Sequence, residues 1–138
     1  MQKTAIAMFA LGAIAFAGPA SAEKLKATLD GKSEVPATTS TATGTADLDY
    51  DAASKKLSWK LTYSGLTGPA TAAHFHGPAE AGKNAGVAVA IPNATSSPVD
   101  GSATLSDAQA ADLLAGKLYI NIHTAANPGG EIRGQVTK

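Results

Sequence analysis

Three histidines are present in this chain, and two short motifs hold them all. They are Ala-His-Phe-His-Gly-Pro at Ala73–Pro78 and Asn-Ile-His-Thr at Asn121–Thr124. His74 and His76 are separated by one residue, so on an extended strand both imidazoles leave the same face. His123 closes a second strand-like run that begins at Leu118. If the two strands are neighbours, three neutral imidazoles converge on one point, as a copper or zinc ion requires. The competing reading is structural: histidines at strand ends also serve as hydrogen-bonding posts for loops.

The alternation within each run favours a site. Ile120 and Ile122 share one face of the later strand, and Tyr119, Asn121 and His123 share the other. Phe75 likewise points away from His74 and His76. The histidines therefore belong to the non-core face, or to an open barrel end. Asn121 is placed to hold a ring nitrogen. Glu131 and Arg133 flank Ile132 on a last strand and share a face. Arg133 is the sole arginine. Glu131 is a candidate fourth ligand or an acceptor behind an imidazole, with Arg133 near an open coordination position. The alternative for this pair is a surface ion bridge contributing no more than about 1 kcal/mol.

Other chemistries lack their residues. The chain has no cysteine, and both methionines, Met1 and Met8, fall in an amino-terminal segment that reads as an export signal. A blue-copper centre and thioether copper handling are thereby excluded, leaving nitrogen and oxygen ligands. No Gly-x-Ser-x-Gly elbow accompanies a histidine for hydrolysis. Asp47, Asp49 and Asp51 alternate along an exposed strand without the apolar neighbours that would raise one of their pKa values. No loop has the pattern that cradles phosphate.

The export signal is expected over residues 1–22: Lys3, then an apolar stretch from about Ala5 to Ala17, then Ala20-Ser21-Ala22 as the small-residue cleavage pattern. Cleavage after Ala22 takes 22 of the 138 residues and leaves 116, enough for one domain over residues 23–138. The expected location is periplasmic or secreted, with no integral membrane segment in the mature chain. Of 11 basic and 11 acidic residues, only Lys3 is removed, so the mature net charge is near −1. No basic patch suits nucleic acid.

The elements that must position the histidines are short. Alternation predicts strands over Lys24–Leu29, Gly44–Tyr50, Leu57–Tyr63, Ala70–His76, Gly86–Ile91, Leu118–His123 and Glu131–Val136. Asn93–Gly101 reads as a polar connection. Ser106–Leu114 reads as a single helix: Ser106 and Gln109 form a capping box, Gly116 stops it, and Leu105, Leu113 and Leu114 would seat it on the sheet. The expected fold is all-β, an antiparallel Greek-key-like sandwich or barrel of about seven to eight strands with one short helix.

Three stretches also carry a family resemblance: Gly68–Pro78, Leu114–Thr124 and Asn127–Gln135, the last running Asn-Pro-Gly-Gly-Glu-Ile-Arg-Gly-Gln. Together they resemble the CHRD domain, which takes its name from chordin and also occurs in single-domain exported bacterial proteins. The resemblance implies an all-β fold. The cysteine-rich repeats that accompany the module in chordin are missing, so growth-factor binding is not implied. The His-x-His strand with a later histidine is also similar in outline to copper–zinc superoxide dismutase, although three histidines cannot furnish both of that enzyme's metals. The expectation is thus an exported β-barrel binding one transition metal through His74, His76 and His123, with copper first and zinc as the alternative. A non-metal interaction module is the second reading, and a superoxide-dismutase-like copper enzyme the third.

Overall fold

The computed structural model describes residues 22–138, so the expected export signal lies, Ala22 apart, outside the described residues. Eight antiparallel strands form a nearly closed, barrel-like sheet: β1 (Glu23–Asp30), β2 (Thr43–Asp51), β3 (Lys56–Ser64), β4 (Ala70–His76), β5 (Val87–Ile91), β6 (Val99–Thr104), β7 (Tyr119–Thr124) and β8 (Ile132–Gln135). One helix, α1 (Asp107–Leu114), lies between β6 and β7. The strand order is β5-β4-β7-β8-β1-β2-β3-β6. The chain thus runs through the β1–β2–β3 meander, crosses to β4 at the far side, and returns for β6, a Greek-key-like path.

Period-two alternation builds the core. Leu25, Ala27 and Leu29 of β1, Ala46, Leu48 and Tyr50 of β2, and Leu57, Trp59 and Leu61 of β3 all point inward and are buried. They meet Ala73 and Phe75 of β4 and Ile120 and Ile122 of β7. Trp59 and Phe75 pack edge to face, with ring centroids 5.1 Å apart, the arrangement favoured by their ring quadrupoles.

β6 corrects the expectation of a polar connection over Asn93–Gly101. Val99–Thr104 pairs with β3, with Gly101 opposite Trp59. A Cβ at Gly101 would come within 2.7 Å of the indole. The indole fills the space that a side chain on β6 would need, and this strand is accordingly small and polar. Its apolar partner sits in another strand, out of reach of local alternation.

The helix forms as its caps dictate. Ser106 Oγ accepts from the Gln109 backbone N–H, and the Gln109 side chain accepts from the Ser106 N–H. Ala110 and Leu113 face the core. Leu114 does not seat the helix, contrary to expectation, and is exposed. A 3.6-residue period turns it about 100° from Leu113 and off the packed stripe. Among the described residues, no helix is long and apolar enough to cross a membrane.

Candidate metal centre

β4 and β7 are adjacent and antiparallel, pairing Ala72 with His123, His74 with Asn121 and His76 with Tyr119. This register places His123 diagonally across from His74, within imidazole reach. The three histidines come together, with one ring nitrogen from each lying within 4.8 Å of the others. Nitrogens sharing a tetrahedral ion at about 2.0–2.1 Å would be roughly 3.3 Å apart, so closing on an ion needs the rings to draw together and the His74–His123 hydrogen bond to give way.

Backbone carbonyls aim two of the rings. His123 Nδ1 is 2.8 Å from the Pro128 carbonyl, and His76 Nδ1 is 2.9 Å from that of Ala85. A carbonyl only accepts, so each Nδ1 carries its proton and each Nε2 presents a lone pair. His74 Nδ1 then donates to His123 Nε2 at 3.1 Å. His76 Nε2 is buried with no hydrogen-bond partner, an uncommon state for a buried polar atom. A buried imidazole nitrogen without a close hydrogen bond, beside two further imidazoles, fits a metal ion.

Burial disfavours the charged form of two of these ligands, His74 and His76. Burial pushes the His76 pKa down, assisted by His123 and Arg133 and opposed by the Ala85 carbonyl and Asn121. The His74 pKa is also lowered, first by burial and then by His123 and His76. His76 is 9 % exposed, whereas His74 and His123 are half-buried. Solvent therefore reaches the cluster on the His74–His123 side.

The face carrying these histidines is the non-core face of the sheet, but loops cover it, and β7 is buried almost throughout. Tyr119 lies parallel to His76, with ring centroids 5.0 Å apart, and the Arg133 guanidinium carbon is 3.5 Å from the centre of the Tyr119 ring. Because β7 runs between β4 and β8, Tyr119 is sandwiched between His76 and Arg133. Arg133 also donates to Asn84 Oδ1 at 2.8 Å and to the Lys83 carbonyl, and Asn84 Nδ2 donates to the Val35 carbonyl. The sole arginine thus fastens the loop that supplies Ala85.

Glu131 does not join the histidines. It is 0 % exposed and accepts from Thr67 Oγ1 at 2.5 Å, Ser40 Oγ at 2.8 Å and Thr124 Oγ1 at 2.8 Å, and from the Thr67 N–H and Asn127 Nδ2. Burial alone would raise its pKa, but the Thr67, Thr124 and Ser40 hydrogen bonds outweigh that and hold it at about 2. The surface ion bridge expected between Glu131 and Arg133 is absent: Arg133 is 2 % exposed, and among the described residues the ion pairs are Lys24–Asp49, Lys55–Asp107 and Lys138–Glu23. Loops contributed from distant sequence bury both side chains and separate their partners. Asn121 donates to the Gly129 carbonyl at 3.3 Å, and its side chain is a polar neighbour of His76 that favours the protonated ring.

Some neighbours leave no trace in the sequence. The Ala85 and Pro128 carbonyls have no side-chain signature. Glu34 stands alone in a Thr/Ser/Pro loop, yet it is 6 % exposed, with Oε1 unpartnered. Burial raises its pKa to about 7, against the opposing influence of Arg133 and the Val35 N–H.

Comparison with known proteins places residues 25–136 on the family model described as the CHRD domain. Neither the curated proteins nor the solved structures include a significant match to the chain.

Proposed function

The chain belongs to the CHRD-domain family, and from that premise we propose that it is an exported, periplasmic or secreted protein that binds one transition-metal ion through His74, His76 and His123. The observation that carries this reading is the set of three converging imidazole nitrogens. Two of the rings are locked by carbonyls with Nε2 unprotonated, and one Nε2 lacks any partner. Carbonyl-anchored imidazoles are the usual way in which ligand rings are oriented around metals.

Copper is the proposed ion. Divalent copper exceeds zinc in affinity for nitrogen ligands, and the residues around the cluster provide no sulfur. When bound, the ion would supply Lewis-acid or one-electron chemistry. The protein's part is to disfavour protonation of His74 and His76, to fix two rings through Ala85 and Pro128, and to leave the His74–His123 side open to solvent.

The test is titration of the metal-free protein with Cu(II) and Zn(II) beside a His74→Ala/His76→Ala/His123→Ala variant. Binding to the parent that the variant loses supports the reading, and equal binding by both overturns it. A second reading, an interaction module whose histidines only join loops, is favoured by the direct His74–His123 hydrogen bond. The two separate in thermal melting: a ligand held by the native state alone at 100 times its Kd adds about 2.7 kcal/mol, removable by EDTA. An interaction module melts identically in both conditions.

A further inference from the structure

A groove of about 450 Å³ lies between the loop that carries Glu34 and the Ala126–Gly130 turn. This size is within the range of small-molecule sites. Glu34 Oε1 is its anomaly. The residue is 6 % exposed, yet this oxygen has no hydrogen-bond partner. It lies against Gly130, which has φ +124°, and a Cβ there would collide with Oε1 and come within 2.7 Å of Asn121 Nδ2. The missing side chain at position 130 makes the room that the carboxyl group occupies.

The lining defines the ligand. Glu34 is the one ionisable residue along the groove, whose lining is mixed, with Pro36, Ala37 and Pro128 beside Thr38, Thr39 and Asn127. A carboxylate oxygen stripped of water and left without a hydrogen bond is costly in the charged form, even with the Val35 N–H and Arg133 acting on the group. A protonated amine would give Oε1 the donor it lacks and add positive charge beside it. Its hydrocarbon body would rest on the proline and alanine surface.

We propose that this groove binds an alkylammonium group, with the ammonium at Glu34 and the alkyl chain between Pro36 and Pro128. The site is separate from the three-histidine cluster and does not depend on a metal there. The same chemistry occurs in a free primary amine and in a lysine side chain of a protein partner.

Nuclear magnetic resonance titration of the full domain with n-butylammonium tests the proposal. Binding with a Kd of about 1 mM is expected, in keeping with what five heavy atoms can contribute. Backbone amide shifts should be confined to Glu34–Thr39 and Ala126–Gly130. Glu34→Gln should weaken binding at least tenfold. Neutral 1-butanol on the parent protein should leave these amides unmoved, a comparison that needs no variant to fold. No saturable shifts up to tens of millimolar, equal shifts with butanol, or undiminished binding by a folded Glu34→Gln protein would each overturn the assignment. Nα-acetyl-lysine methylamide distinguishes the sources: binding tighter than butylammonium identifies a partner's lysine, and weaker binding a free amine.

Discussion

His76 and Tyr119 share one acceptor: the Nδ1 of the first and the hydroxyl of the second both reach the Ala85 carbonyl, at 2.9 and 3.2 Å. Their rings lie parallel to within 2°, and the Ala85 N–H donates back to Tyr119 Oη at 3.0 Å. The loop peptide that orients the imidazole is therefore itself held by the ring stacked on that imidazole. Tyr119→Phe keeps the stack and removes the hydroxyl. It should lower metal affinity by about tenfold, the lower end for partners that orient a ligand, and cost about 1 kcal/mol of stability. Isothermal titration and denaturant melts measure the two effects separately. Undiminished affinity would show that Ala85 does not need Tyr119.

Protonation should oppose metal capture later than it does for free histidine. The pKa values of His74 and His76 are both lowered from 6.5, so the native protein binds fewer protons there than the unfolded chain. The metal-free stability they contribute is fully present above pH 6.5 and declines as pH falls through their lowered native values. Copper affinity should accordingly hold to a lower pH than it would for free imidazoles of pKa 6.5 before falling steeply. Proton release and affinity measured between pH 5 and 8 check this. Half-loss of affinity above pH 6.5 would contradict it.

Glu131→Gln should destabilise the fold by about 3 kcal/mol at pH 7, because hydrogen bonds to a buried charged acceptor are the strong ones. Its lowered native pKa of about 2 gives a stabilising contribution that is present above pH 4.5 and lost as pH falls through the native value. The gap between parent and variant should therefore narrow from pH 4.5 towards 2. Denaturant midpoints across that range measure it. A constant gap would place the effect in packing rather than charge.

Glu34→Gln should act in the opposite sense. A native pKa raised to about 7 gives a contribution that is complete below pH 4.5 and lost as pH rises through 7. The variant should gain on the parent by about 1–2 kcal/mol at pH 8, after allowance for solvent screening, and gain nothing at pH 4. Melting temperatures at the two pH values decide it. A variant no more stable than the parent at pH 8 would mean that Glu34 is ionised without cost.

The three histidines were legible because they are scarce and because a one-residue spacing has a single meaning on a strand. The capping box of α1 was equally plain, since Ser106 and Gln109 interact locally. β6 was not, because the reason for Gly101 is the indole of Trp59 on another strand. For Glu131 and Arg133 the alternation over Glu131–Val136 suggested a shared surface, but a two-residue period cannot say which loops will cover a face. Thr67, Ser40 and Asn127 reach Glu131, and Lys83 and Asn84 reach Arg133, only after the whole sheet has formed. The Ala85 and Pro128 carbonyls that aim the imidazoles belong to the backbone, which every sequence has.

Gln109 completes the capping box with its oxygen and, with its Nε2, donates to the Ala88 carbonyl of β5 at 2.9 Å. β5 is one of the two outer strands of the sheet, where unpaired backbone groups invite a strand from another molecule. An incoming chain would have to displace this amide, and doing so would loosen the first turn of α1. Resistance to edge-to-edge aggregation is thus coupled to helix initiation through one glutamine, and partial fraying of a short helix would open a path to self-association well before the core itself gives way.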